Sequence, residues 1–316
     1  VKGVIPMVQI EKTEISHSQW GRCVRLSNGT IELLATVDFG PRIIYFGAVG
    51  GVNEFFEDVN DEVNKNGDSA FDIFGDEGYW HIYGGHRLWI SPEAYPRSYY
   101  PDNEPVYYKF IDNGVRLTPP PQAWNELQLE MDIVMKEDNQ VEVTHKVTNI
   151  GSWNVKFAPW ALTVMNVGGL QVIPQPSKNT ALLHNRVVSV WPYTDMSDSR
   201  VTWGKDFILL RPTSEISQPF KFGINNEHGY AAYFNNGNLF VKRYSHVEGG
   251  SYPDGGVSYE TYTNNLMVEL ESIGEYKEVA PEETAVHVET WQLILNVPKP
   301  KNDDEIREAV KKYIEK

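Results

Sequence analysis

The feature that most restricts this chain is a two-residue alternation that returns in short runs. It is clearest in QVEVTHKV, where Val141, Val143, His145 and Val147 share one face and Glu142, Thr144 and Lys146 the other. Successive side chains of a strand point to opposite faces, so the pattern predicts a strand with one face in a core. TIELLATVD, PRIIYFGA, ELQLEMDIVM, KFAPWALTVMNV, DFILLRP, YAAYFN, NLFVKRYS, NLMVELES and AVHVETWQLIL have the same character. Turn signals separate them. SNGT at 27–30 predicts a hairpin, its Asn-Gly supplying the positive φ of a type I′ turn, and EDNQ, NIGSW and NNGN read as further turns.

Only DDEIREAVKKYIEK, 303–316, reads as helix, with Ile306, Val310 and Ile314 in one apolar stripe. Many strands, one helix and no linker before residue 297 predict an all-β chain. The expected division is one large antiparallel β-sandwich over 1–300, with an amphipathic helix over 301–316 packed on it. Residues 58–78, acidic and rich in Gly, Asn and Asp, read as a long surface loop, with disorder the alternative.

Composition narrows the function classes. The net charge of −15 argues against nucleic acid, whose affinity rests on Lys and Arg neutralising phosphates. No run approaches the ~18 apolar residues of a membrane span, so no membrane partner is expected. The single cysteine, Cys23, allows no intrachain disulfide and favours a cytoplasmic setting, with a secreted form after signal cleavage left open. HExxH, CxxC, EF-hand, GxSxG and P-loop patterns are absent, which predicts no metal, no cofactor and no serine-hydrolase or NTPase chemistry.

The segment HIYGGHRLWISPEAYPRSYYPDNEP, 81–105, has the regular spacing of neither strand nor helix. It concentrates aromatic rings with His86 and Arg87 after a glycine pair. Arginine offers fixed donors suited to vicinal hydroxyls. Trp80, Tyr83, Trp89, Tyr95, Tyr99 and Tyr100 offer flat faces with polar tips. A sugar ring asks for both, since its C–H faces are apolar and its rim carries hydroxyls. The alternative is a secondary core under a loop, with Arg87 on a local carboxylate.

A second stretch, RYSHVEGGSYPDGGVSYETYTNN, brings His246, Asp254 and Glu260. His246 can exchange protons near neutral pH, and the two acids can accept hydroxyls. For Asp254 ordinary turn chemistry is the competing account. In NLMVELES, Leu266, Val268 and Leu270 take the core face and turn Glu269 and Glu271 together to the other side. Two such carboxylates can raise one pKa and create a poised base; a solvated sheet face is the alternative. His145 reads as a core histidine, and His17, His184, His228 and His287 have no evident partners.

TIELLATVDFGPRIIYFGA, GGHRLWISPE, HKVTNIGSWNVKFAPWALTVMNVGG and VELESIGEYKEVAPEETAVHVETWQL, in this order, resemble segments of the galactose mutarotase-like superfamily, which includes the aldose 1-epimerases. The resemblance spans roughly residues 8–297. It implies a large antiparallel β-supersandwich with a sugar site on a concave sheet face. It further implies mutarotation or epimerisation by a glutamate base and a histidine acid, with a mono- or oligosaccharide as partner. Glu271 matches the base and Arg87 the sugar-binding arginine. Trp160 or Leu162 stands where the histidine is expected, leaving His86 or His246 to replace it. The expected binding residues are Arg87, Trp89, Tyr83, Glu93, Glu260, Asp254 and Trp160. The alternatives are a non-catalytic sugar-binding protein, or a lyase or glycosidase. A lyase would use Tyr83 or Tyr244 with Arg87; a glycosidase would pair Glu271 with Glu93 or Glu260.

Overall fold

A computed structural model describes residues 10–75 and 78–315. In chain order the first strands are β1 (Glu11–Ser16), β2 (Arg22–Ser27), β3 (Ile31–Thr36), β4 (Ile43–Ala48), β5 (His86–Ser91), β6 (Tyr107–Ile111) and β7 (Gly114–Thr118). The middle of the chain forms β8 (Leu127–Met135), β9 (Gln140–Asn149), β10 (Val155–Asn166), β11 (Leu170–Pro174), β12 (Val188–Val190), β13 (Val201–Trp203) and β14 (Phe207–Leu210). The last third adds β15 (Phe220–Ile224), β16 (Tyr230–Asn235), β17 (Asn238–Tyr244), β18 (Tyr259–Thr263), β19 (Met267–Ile273), β20 (Lys277–Val279), β21 (Thr284–Ile294) and helix α1 (Asp303–Tyr313).

These strands make two antiparallel sheets. One runs β1-β2-β3-β4-β5-β10-β19-β18-β15-β12, with β20 beside β10; the other runs β13-β14-β11-β16-β17-β21-β9-β8-β7-β6. Val24, Leu33, Phe46, Leu88, Val268 and Leu270 of the first meet Ile133, Val143, Phe240, Trp291 and Leu293 of the second in one buried core. The alternation in β9 holds: Val141, Val143, His145 and Val147 are all fully buried. The outer face of the second sheet is covered by α1, whose Ile306 and Val310 pack on Leu170, Val172, Leu209 and Tyr230. Asn302 caps that helix by accepting from the Glu305 amide. No helix among the described residues is long and apolar enough to cross a membrane.

The turns follow local chemistry. Asn236 and Gly237 both take positive φ between paired Asn235 and Asn238, which is the type I′ requirement. SNGT does close the β2–β3 hairpin, but only Gly29 is left-handed. The Asn28 side chain instead accepts from the Thr30 and Ile31 amides.

Residues 58–75 fold back onto the first sheet. The Asp58 carboxylate accepts from the Glu62 and Val63 amides, Lys65 N–H reaches the Trp80 carbonyl, and Phe71 is fully buried. The surface loop expected here is, over 58–75, a flap held to the sheet because Phe71 takes a place in the apolar layer beneath. Asp76 and Glu77 lie outside the described residues.

Candidate active site

The outer face of the first sheet carries a second apolar layer built on Trp89, Trp160, Leu162, Met267 and Ile273, covered by Phe71, Trp80 and Ile82. Within it lies a cleft of about 220 Å³. That is small beside the ~300–1,000 Å³ of drug-sized pockets. Val63, Asn64 and Lys65 of the flap form one wall, and Tyr99, Tyr193 and Tyr262 contribute aromatic surface.

Register sets the floor. One row across four strands reads Arg87, Leu162, Glu271, Glu260. The row on one side reads Trp89, Trp160, Ile273, and on the other Val164, Glu269, Tyr262, Lys221. At the end of the central row stands Gly223, where a Cβ would lie 2.8 Å from Val257 and 3.2 Å from Glu260 Cγ. Only glycine leaves that side chain its room. The glycine pair before β5 is needed too: Gly84 and Gly85 have positive φ, and a Cβ on either would lie 2.1 Å from a backbone oxygen.

Two ion-paired groups lie in these rows. Arg87 Nη2 donates to Glu269 Oε1 at 3.0 Å, and its guanidinium lies 4.4 Å from the Trp89 ring centroid and 5.5 Å from that of Trp80. Lys221 Nζ holds Glu260 Oε2 at 2.8 Å and Glu271 Oε2 at 3.2 Å, with the Trp160 and Trp191 rings each 4.7 Å away. Trp160 Nε1 also donates to Glu271 Oε2, at 2.9 Å. Burial alone would lower the Lys221 pKa, but the two carboxylates overturn this and hold the ammonium charged. Burial pushes both Glu260 and Glu271 above the usual carboxylate range, and Lys221 offsets only part of the effect. The expected alternative of a solvated face is therefore wrong for Glu269 and Glu271, which are 7% and 0% exposed.

Five buried polar atoms of this group have no hydrogen-bond partner among the described residues. They are the N–H donors Trp80 Nε1, Arg87 Nε and Arg87 Nη1, and the carboxyl oxygens Glu260 Oε1 and Glu271 Oε1. A second cleft, lined by Pro41, Leu88, Pro119, Pro120 and Pro121, contains no such atom. Its one buried cation, Arg42, is paired with Asp102.

The structure gathers Arg87, Trp89, Trp160, Glu93, Glu260 and Glu271 in or directly beneath the cleft; Glu93 accepts from the Tyr99 hydroxyl. Several expectations need correction. The segment around His86 is regular after all: His86–Ser91 is a strand, and its alternation sends Arg87 and Trp89 to the cleft but His86, Leu88 and Ile90 to the core between the sheets. His86 is fully buried there against His145 and cannot face a ligand in the cleft.

His246 bonds Ser258, stacks on Tyr252 and lines a different depression with His184 and His228. Tyr83 packs on Phe39 and Trp20 and donates to Asn103, in an end cluster away from the cleft. Asp254 sits in a turn at φ +51°, beside Ser91, and does not line the cleft. Tyr244 is buried against Tyr259, so the lyase arrangement of Tyr83 or Tyr244 with Arg87 is not assembled. Lys221 was missed. Its signal was the alternation of FKFGI, which leaves a lysine opposite Phe220, Phe222 and Ile224.

Beneath the cleft strands, on the inner face, lies a closed polar network. His86 Nε2 meets His145 Nε2 at 2.7 Å, His145 Nδ1 donates to the His287 carbonyl, and His287 Nε2 meets Ser272 Oγ. Ser272 and Trp291 donate to Glu289, which also holds Lys242 Nζ at 2.8 Å. His287, expected to stand alone, is thus one of its members. His86, His145 and Glu289 bring ligand-type atoms within 4.8 Å of one another, but Lys242 occupies the carboxylate and both ring nitrogens of each histidine have protein partners.

Burial pushes the His145 and His287 pKa values down to about 3, and that of His86 well below its ordinary value. A histidine kept neutral by the fold adds stability above its unfolded pKa of ~6.5, and this is lost as pH falls below that value. Glu260 and Glu271 act in the opposite direction, so the contribution is read as a difference. Between about pH 6 and 4, His287→Gln is expected to lose about 1.4 kcal/mol per pH unit less than wild type in urea unfolding. Parallel pH dependences would contradict the buried neutral state.

No protein-family model matches the chain, and no curated protein sequence does. Solved structures do. A provisionally assigned aldose 1-epimerase from Klebsiella pneumoniae superposes with TM-score 0.61 at 11% identity, over 97% of this chain and 87% of that one. A galactose mutarotase-like protein from Clostridium acetobutylicum gives 0.52 at 13%, over 90% and 98%. A TPR-domain-containing protein from Parabacteroides distasonis gives 0.56 at 14%, over 89% of this chain, which spans 50% of that protein's length. At these identities the likeness is one of architecture: two packed antiparallel sheets with one terminal helix, the galactose mutarotase-like fold.

Proposed function

We propose that the cleft binds an uncharged monosaccharide and exchanges its anomers by acid–base chemistry, with Glu271 as the base. The observation that carries this reading is the set of five unpartnered buried polar atoms, three N–H donors and two carboxyl oxygens, among tryptophan faces. A buried polar group left unpaired costs about 1–3 kcal/mol. Sugar hydroxyls both donate and accept, so one ring can satisfy both kinds while its C–H face covers an indole.

Charge selects within the sugars. Arg87 is paired with Glu269, and Lys221 with Glu260 and Glu271, so neither is free to neutralise a carboxylate or phosphate. Lys65 of the flap, its ammonium 4.7 Å from the Tyr99 ring centroid, is the remaining cation of the wall; with the other two paired, the balance favours neutral sugars over uronates. A glycosidase needs carboxyl groups on either side of the scissile bond. Glu260 and Glu271 instead stand side by side on adjacent strands and grip one ammonium. One observation favours a second reading, a sugar-binding protein without chemistry: no histidine among the described residues lines the cleft, and Leu162 occupies the position between Arg87 and Glu271.

The test is proton NMR of anomer exchange in freshly dissolved α-glucose and α-galactose, with calorimetric titration of the same sugars, uronates and hexose phosphates. Binding confined to neutral sugars, with faster exchange, supports the proposal. Binding without faster exchange selects the second reading, and no binding of any sugar removes both. Arg87→Lys keeps a cation for Glu269 but loses the two unpartnered donors. It is expected to weaken sugar binding by about 1.5–3 kcal/mol, roughly tenfold to a hundredfold.

A further inference from the structure

We propose that Glu260 and Glu271 form a carboxylic acid–carboxylate pair across Lys221, in which Glu260 supplies the proton for the ring oxygen and Glu271 receives that of the anomeric hydroxyl. This inference rests on the sugar-isomerising reading above and names its missing acid.

The geometry that carries it is symmetrical at first sight. The two residues face each other across β18 and β19, each places Oε2 on Lys221 Nζ, and each leaves Oε1 without a partner among the described residues. One ammonium neutralises one carboxylate. Two carboxylates on one ammonium, out of water, leave an excess negative charge that a proton removes at lowest cost.

The surroundings decide which oxygen holds it. Glu271 Oε2 accepts a second hydrogen bond, from Trp160 Nε1, and lies in the field of Arg87. Glu260 has Lys221 alone and lies in the field of Asp254, from the turn before its strand. Glu269 on β19 repels Glu271, and Glu93 and Tyr193 face the Lys221 group from the covering loops. On the inner face Lys242 and Tyr259 feel the charge of Glu271, and Lys242 is already neutralised by Glu289. The balance leaves Glu271 ionised and Glu260 protonated. Burial of both carboxyls in the same layer pushes them above the usual range together, so this state persists near neutral pH.

The anomeric oxygen and the ring oxygen are both attached to C1, so neighbouring carboxyls on one floor can serve both. Glu271 takes the proton of the anomeric hydroxyl, and that oxygen's electron pair forms the C1 carbonyl. The C1–ring-oxygen bond breaks, its electron pair going to the ring oxygen, which takes the proton of Glu260. After C1 turns its other face, the hydroxyl adds back to the carbonyl and returns its proton to Glu260, while Glu271 returns its proton to the new anomeric hydroxyl. No oxidant, metal or cofactor enters this balance.

The test is Glu260→Gln, which keeps size and a hydrogen bond to spare but cannot give up a carboxyl proton. Exchange is expected to fall by about 10²–10⁴, the usual range for a general acid, with sugar affinity held within a few-fold. The wild-type rate should be bell-shaped in pH, falling on the acid side as Glu271 protonates and on the alkaline side as Glu260 ionises. Glu260→Gln should lose the alkaline fall, a change that a merely structural residue would not produce. An unchanged alkaline limb overturns the proposal.

Difference infrared spectra give a readout independent of turnover. A protonated-carboxyl band near pH 7, present in wild type and absent in Glu260→Gln, supports the pair even where exchange itself is not seen. Its absence in wild type overturns the pair even where exchange is fast.

Discussion

Lys242→Met is expected to destabilise the protein by about 3–5 kcal/mol, the cost of leaving one member of a buried ion pair without the other. Lys242 and Glu289 are both fully buried between the sheets, with Nζ 2.8 Å from Oε1. The ammonium also donates to the carbonyls of Ala161 at 3.1 Å and Leu270 at 2.8 Å. Lys242 belongs to the second sheet, while β10 and β19 belong to the first, so one side chain ties the sheets together under the strands that carry Trp160, Leu162, Glu269 and Glu271. Burial lowers the lysine pKa, and Glu289 opposes that shift. Urea unfolding measures the loss. The double variant Lys242→Met, Glu289→Gln should recover part of it by removing the stranded charge. A cost below about 1 kcal/mol for the single variant would show that the pair does not hold the sheets.

Glu271→Gln is expected to lower the rate of anomer exchange by about 10²–10⁴ while sugar affinity changes little. The amide keeps the side chain's volume and can still accept from Trp160 Nε1, but it cannot take a proton from the anomeric hydroxyl. Its stability should not fall, because once residue 271 is neutral Glu260 can give up its proton and take over the charge pairing with Lys221. This separates it from Lys242→Met, whose effect is on folding. NMR exchange rates at saturating and sub-saturating sugar distinguish a fall in turnover from a fall in binding. Wild-type turnover in Glu271→Gln would remove Glu271 as the base.

Much of this was legible in the residues. Period-two alternation identified β9 and its inward His145, and in NLMVELES it turned Glu269 and Glu271 to one side. Arg87, Trp89, Trp160 and Glu271 could be selected because sugar chemistry asks for those types and the resemblance gave their order. His86 was misplaced because the glycine pair before it and the proline after Ser91 disguise a six-residue strand. Applying the same alternation to HRLWIS separates His86 from Arg87. Tyr83, His246 and Asp254 were chosen for type and proximity in sequence, and neither fixes which face or which loop a side chain joins.

The sequence by itself determined the class of structure, the faces of its regular strands and the terminal helix, because these follow from local periodicity and turn chemistry. Only the tertiary structure decided that Glu260 stands opposite Glu271 and that Lys221, 39 and 50 residues away from them, clasps both. It also decided that the flap over 58–75 closes one wall of the cleft. Strand order and register between distant segments set those contacts, and burial then sets the charges of the groups brought together; neither is encoded in any short window of the chain.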